Sequence, residues 1–199
     1  MSLEAVLARV SQLQTAMAPP APSAQPTKVG AQFGQVLNAA NANLAGLTPI
    51  SATGGTVGQK MVALAQQEIG VKEQPMGSND SPRIAEYRKA TAGSGVGPWC
   101  AYFTSWLAKS AGAPVGEAGQ GFGSVDALYS WAQRTGKAVD NGPGVRPNPG
   151  DLIVWDEHIG MVERVDADGT VHTIEGNSSD QVIRRTHPAT GALGYVKMS

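Results

Sequence analysis

Cysteine is nearly absent from this 199-residue chain, and the one residue present, Cys100, excludes an internal disulfide and any metal site built from several cysteines. The chain lacks a run of about 18 apolar residues, so no membrane span is predicted. Lysine and arginine form no cluster and the net charge is −1, so nucleic acid is not an expected partner. The N-terminus has no basic region followed by a continuous apolar stretch, and we expect no classical signal peptide.

The spacing of apolar residues divides the chain into an extension, residues 1–56, and a globular domain, residues 57–199. In the extension, two short stripes with helical spacing, at 3–17 and 33–44, flank a linker with four prolines at 18–28. Each stripe is too short to form a stable helix alone in water. The extension is therefore expected to be partly helical, and to act either as a disordered leader or as a docking segment for a protein partner.

Within the domain, the hydrophobic period changes from helical to alternating. Helices are predicted from residue 57 to just before Gly70, and over 81–87, 98–111 and 124–135, with serine caps and terminal glycines. Strands are predicted at 151–155, 159–165, 170–174 and 181–186, with a short last strand at 194–197, and a hairpin turn lies at 167–169. Helices followed by an antiparallel sheet indicate an α+β domain.

Cys100 is the first candidate for chemistry. Because Pro98 suits the first position of a helix, Cys100 is expected within the first turn, where unpaired N–H groups and the helix dipole favour a thiolate. The alternative is a cysteine packed inward beside Trp99 and Phe103, as most lone cysteines are.

Three polar residues on neighbouring strands complete the candidate site. His158 opens one strand, and Glu175 and Asn177 lie on one face at the end of the next, whereas His172 lies on the other face. With the turn at 167–169, facing residues have numbers that sum to about 335, which places Asn177 opposite His158 and Glu175 one step away. A polar group there can orient an imidazole for nucleophilic catalysis. Taken alone, His158 is better explained as a surface histidine at a loop edge.

Three segments in this order resemble the CHAP domain family, within the papain-like group that includes the NlpC-type hydrolases. They are PWCAYFTSWLAKSAG (98–112), PGDLIVWDEHIGMVERV (149–165) and IEGNSS (174–179), and the stretch at 67–88 resembles the run that precedes the nucleophile in phage-lysin-like members. The resemblance covers roughly residues 57–197. It implies a papain-like fold, with a nucleophile at a helix start packed on an antiparallel sheet, and hydrolysis of amide bonds in peptidoglycan.

The resemblance also implies a role for each residue. Cys100 would be the nucleophile, His158 the general base and acid, Glu175 the residue that orients His158, and Asn177 a further polar group near the oxyanion. Trp99 and Trp155 are expected to line the substrate groove from their positions. No cofactor or metal is expected. Some phage members carry a calcium loop ahead of the cysteine, but the acidic residues there are too sparse in this chain.

Several functions stay open at this point. The chain could be an N-acetylmuramoyl-L-alanine amidase or a peptide endopeptidase, used in phage-derived lysis, in association with the flagellum or against neighbouring cells. It could instead be a catalytically silent wall-binding module, or an assembly protein in which the extension carries the function. VLARVSQLQ and FGQVLNAANANL loosely resemble N-terminal segments of flagellar rod-associated proteins, which would allow extracytoplasmic export to the cell wall without a classical signal.

Overall fold

The computed structural model of the protein describes residues 55–93, 95–188 and 190–198. The two apolar stripes and the proline linker of the extension lie outside these residues, and their helical character and the boundary at residue 56 stay predictions.

Four helices form the first half of the described domain. They are α1 (Val57–Glu68), α2 (Pro82–Arg88), α3 (Cys100–Ser110) and α4 (Val125–Arg134). The side chains of Thr56, Ser81 and Ser124 each accept a hydrogen bond from a first-turn N–H and so cap α1, α2 and α4. Within the described residues, no helix is both long enough and apolar enough to cross a membrane.

A six-stranded antiparallel sheet follows. Its strands are β1 (Ala138–Asp140), β2 (Leu152–Trp155), β3 (His158–Val165), β4 (Val171–Glu175), β5 (Ile183–His187) and β6 (Gly194–Val196), in the spatial order β1-β6-β2-β3-β4-β5. The α+β prediction is confirmed. The sequence did not predict β1, because three residues are too few to show an alternating pattern.

The register between β3 and β4 has the sum expected from the turn. Met161 pairs with Ile174 and Val162 with Thr173, and a bulge shifts the register by one residue closer to the turn. Because opposite residues of an antiparallel pair share a face, this register aligns the start of β3 with the end of β4.

The sheet has an apolar cluster on each face. The larger cluster packs α1 to α4 against one face, which contributes Leu152, Val154, Ile159, Met161, Ile174 and Val196. The smaller cluster lies on the other face and contains Ile153, Val162, Val171 and Tyr195, with Trp155 packed against it. Side chains alternate along a strand, so His158 and Glu175 belong to this second face, next to Trp155.

Candidate active site

The cysteine is the first residue of α3, and its surroundings are rigidly packed. Helix α3 begins two residues later than predicted, with Trp99 in the capping position and Pro98 outside. Cys100 is only 4% exposed. Trp99 and Phe103 pack against the ring of Tyr87, at centroid distances of 5.9 and 5.1 Å. The aromatic cluster holds the helix start in place. Cys100 is buried, as the alternative of inward packing predicted, and so are Trp99 and Phe103.

A buried carboxylate anchors the residue before the cysteine. Glu73 is 3% exposed, and its Oε1 accepts a hydrogen bond from the indole N–H of Trp99 at 2.9 Å. Its Oε2 accepts a bond from the backbone N–H of Asn79 at 2.8 Å. Trp99 is fully buried, which corrects the expectation that it lines an open groove. A buried indole needs one hydrogen-bond acceptor for its N–H, and Glu73 supplies it. The Trp99 ring can therefore pack in the core next to Cys100.

The end of β4 meets the start of α3. A Cβ atom on Gly176 would lie 2.7 Å from Cβ of Phe103 and 2.9 Å from Cζ3 of Trp99. Only glycine permits this close approach between the loop and the helix. Since the end of β4 is aligned with the start of β3, His158 and Glu175 are brought to the same corner of the fold as Cys100.

His158 and Glu175 form a direct contact. Nε2 of His158 lies 2.9 Å from Oε2 of Glu175, and the two side chains are 29% and 3% exposed. The space for the carboxylate comes from Gly160, where a Cβ would lie 2.8 Å from Cγ of Glu175. Because Nε2 is engaged by Glu175, Nδ1 is the ring nitrogen that remains for the thiol of Cys100.

The electrostatics of the pair favour an imidazolium beside a carboxylate. Burial by itself lowers the pKa of His158, but hydrogen bonds to Cys100 and Glu175 and attraction to both groups outweigh it and raise that pKa to about 9. Burial likewise tends to raise the pKa of Glu175, but hydrogen bonds from His158, Thr173 and His187 dominate and lower it to about 2. Glu175 is therefore ionised at any ordinary pH, and His158 is mostly protonated at neutral pH.

Trp155 and Asn177 were also predicted at the site. The ring of Trp155 stacks against His158 at a centroid distance of 5.7 Å and is partly exposed, and its place on a groove wall stays a prediction. Asn177 lies two residues past the end of β4, directly after Gly176, with φ at 58°. This left-handed backbone is uncommon outside glycine and turns the chain sharply beside the start of α3.

Two contacts of Glu175 were missed from the sequence. Thr173 donates its hydroxyl hydrogen to Oε1 of Glu175 at 2.6 Å, and Nε2 of His187 lies 2.6 Å from the same oxygen. The alternation along β4 was enough to place Thr173 on the face of Glu175. The predicted strand ended at residue 186, one short of His187, which pairs with Val171 and so shares that face.

Residues 91–177 match the sequence model of the CHAP domain. CHAP domains are generally cysteine- and histidine-dependent hydrolases, and the family suggests peptidoglycan as the substrate. The match includes Cys100, His158, Glu175 and Asn177, whereas His187 lies outside it.

One solved structure, titled "The crystal structure of Ly7917", is similar to this chain at 19% sequence identity with a TM-score of 0.43. The similarity covers 72% of this chain, which spans about 62% of the length of that one. No curated protein sequence matches the chain.

Proposed function

We propose that the protein is a peptidoglycan hydrolase that cleaves amide bonds with Cys100 as nucleophile, His158 as general acid and base, and Glu175 as the residue that orients His158. The observation that carries the proposal is the contact of 2.9 Å between Nε2 of His158 and Oε2 of Glu175, at the corner of the fold where the loop after β4 packs on the start of α3. A nucleophile, a base and a group that orients the base are the three parts that such catalysis requires.

The geometry supports Cys100 as nucleophile and two donors to the oxyanion in the first half of the reaction. The thiolate of Cys100 attacks the carbonyl carbon of an amide, and a C–S bond forms as the carbonyl oxygen becomes an oxyanion. Helix geometry leaves the N–H groups of the first turn without partners inside the helix, so the N–H of Cys100 can donate to that oxyanion. Asn177 is a second candidate donor, because the turn after Gly176 brings it beside the same helix start.

In the second half, the C–N bond breaks and the leaving amine takes the proton from the imidazolium of His158. Neutral His158 then accepts a proton from water as the water oxygen adds to the thioester carbon. The C–S bond breaks, the carboxylic acid product leaves, and the thiolate is regenerated. Glu175 stays ionised throughout and fixes the ring orientation, since its pKa of about 2 is far below that of the histidine.

Trp155 supports a binding role in the same proposal. Its ring contacts His158 and is partly exposed, and we propose that the exposed part contacts a sugar ring or an apolar part of a peptide stem. Whether the enzyme is an amidase or an endopeptidase depends on the shape of this groove. The extension is proposed as the segment that brings the enzyme to its place of action at the cell wall.

Digestion of purified cell walls by the full chain, beside a Cys100→Ala variant, tests the proposal. We expect fragments from the unmodified protein alone, and mass spectrometry of their new amino termini identifies the bond. A free amino group on the first alanine of the stem would indicate an amidase, and one elsewhere in the peptide an endopeptidase. If both proteins bind walls and neither releases fragments, the domain is a recognition module and the enzyme proposal is wrong.

A further inference from the structure

A second histidine lies on the carboxylate that orients the first. His187 is the last residue of β5, and its Nε2 lies 2.6 Å from Oε1 of Glu175, whereas His158 faces Oε2. Glu175 is thus a bridge between two imidazole rings. The two histidine side chains are almost equally exposed, at 28% and 29%.

Trp155 packs against both imidazole rings. Its ring centroid lies 4.5 Å from that of His187 and 5.7 Å from that of His158. A tilted or stacked contact at these distances favours a defined ring orientation. The position of His187 is therefore determined both by its contact with the carboxylate and by the packing of its ring.

The carboxylate needs this second contact to keep one orientation. A glutamate side chain rotates freely about its last bond, and its two oxygens are equivalent when neither is held. Here Oε1 accepts the hydroxyl hydrogen of Thr173 at 2.6 Å and faces His187, so that Oε2 points to His158. An ionised carboxylate can only accept hydrogen bonds, which means that each histidine donates its Nε2–H to it.

We infer that His187 is a positioning residue of the hydrolase, which holds Glu175 so that His158 keeps the tautomer and the angle needed to serve Cys100. This inference rests on the proposed function. Without the donor of His187, the hydroxyl of Thr173 alone holds Oε1, and the bond between Oε2 and His158 loses its fixed direction.

Two substitutions at His187 separate the hydrogen bond from the bulk of the ring. His187→Leu keeps an apolar side chain against Trp155 and removes the donor, and His187→Gln retains an N–H donor of similar reach. We expect His187→Leu to lower kcat for fragment release by about 10- to 100-fold with little change in KM, since misplaced catalytic groups cost that much. His187→Gln should restore a large part of the loss.

The matched control is His172→Leu. His172 is also a strand histidine beside a carboxylate, with Nε2 2.7 Å from Oδ2 of Asp166, but its side chain lies on the other face of β4. We expect this variant to retain the kcat of the unmodified protein. Thermal unfolding of all variants shows whether a loss of activity merely follows a loss of folded protein.

Three outcomes would overturn the inference. One is an unchanged kcat in His187→Leu when the unmodified protein is active. Another is a raised KM at constant kcat, which would make His187 a substrate contact. The third is an equal loss in His187→Leu and His187→Gln.

If the unmodified protein releases no fragments, the proposed function fails independently. The positioning of Glu175 is then decided by the NMR signals of the His158 ring. We expect His187→Leu to change the titration of those signals, and an unchanged titration would overturn the inference as well.

Discussion

Neutralising Glu175 without changing its shape tests the electrostatic logic of the site most directly. The pKa of His158 is raised from 6.5 to about 9, which corresponds to about 3 kcal/mol in favour of the imidazolium. Glu175 is one of the two groups that produce this rise, together with Cys100. In Glu175→Gln the carboxylate charge is gone, and removal of such a neighbour shifts a pKa by about one to three units.

The direction of the pKa shift follows from the form of His158 that the negative charge of Glu175 stabilises. Loss of the negative charge destabilises the imidazolium, so the pKa of His158 falls towards its ordinary value. A histidine with a pKa of about 9 is about 90% protonated at about pH 8, and one with a pKa of about 7 is about 10% protonated. Because the leaving amine needs that proton, the rate at about pH 8 relative to about pH 6 should fall about tenfold in the variant.

Fragment release from cell walls between about pH 6 and pH 10 measures this ratio, and NMR titration of the His158 ring measures the pKa itself. Glu163→Gln is the matched control, because Glu163 is also a paired carboxylate, held by Arg184 at 2.8 Å, and belongs to no part of the proposed site. An NMR pKa for His158 that stays near 9 in Glu175→Gln would refute the reasoning. So would a pH profile that changes equally in the control.

Three other perturbations have defined outcomes. Gly160→Ala should lower the rate of fragment release about tenfold or more with little change in Tm, because the new Cβ would lie 2.8 Å from Cγ of Glu175. Gly142→Ala is the control, since its new Cβ meets open space, and equal rates in the two variants would contradict the expectation. Glu73→Ala leaves two donors unpaired, the indole N–H of Trp99 and the backbone N–H of Asn79, and should lower the free energy of unfolding by about 1–3 kcal/mol for each. An unchanged Tm in calorimetry would contradict this. Treatment with a chelator should leave the rate unchanged, because both oxygens of Glu73 are already committed to these donors, and a loss that calcium restores would disprove it.

Much of the fold was readable from local patterns. The serine caps, the terminal glycines and the change from helical to alternating spacing located four helices and five of the six strands. These signals depend on neighbouring residues only, and so they are present in the sequence itself. The turn at 167–169 also determined the register of β3 and β4 to within the one residue by which the bulge shifts it.

The contact between His158 and Glu175 was predictable for the same reason, since one hairpin joins their strands. The contacts that involve other elements were not. His187 reaches Glu175 from β5, after a loop with three non-glycine residues in left-handed conformation, Asn177, Ser179 and Asp180. The alternating pattern does not predict how such a loop turns the chain or where the next strand ends.

Trp99 shows the same division from the side of the core. A tryptophan beside a candidate nucleophile suits a groove wall or a buried support equally well by its position in the sequence. Tertiary packing makes Trp99 a buried support, because Glu73, 26 residues earlier, supplies the buried acceptor that the indole N–H requires.

The sequence by itself determined the elements, the order of the site residues along the chain and one strand register, since these depend on short-range geometry. Only the tertiary structure decided which side chains are buried and which donors share Glu175, because those contacts join segments whose separation in the chain carries no local signal.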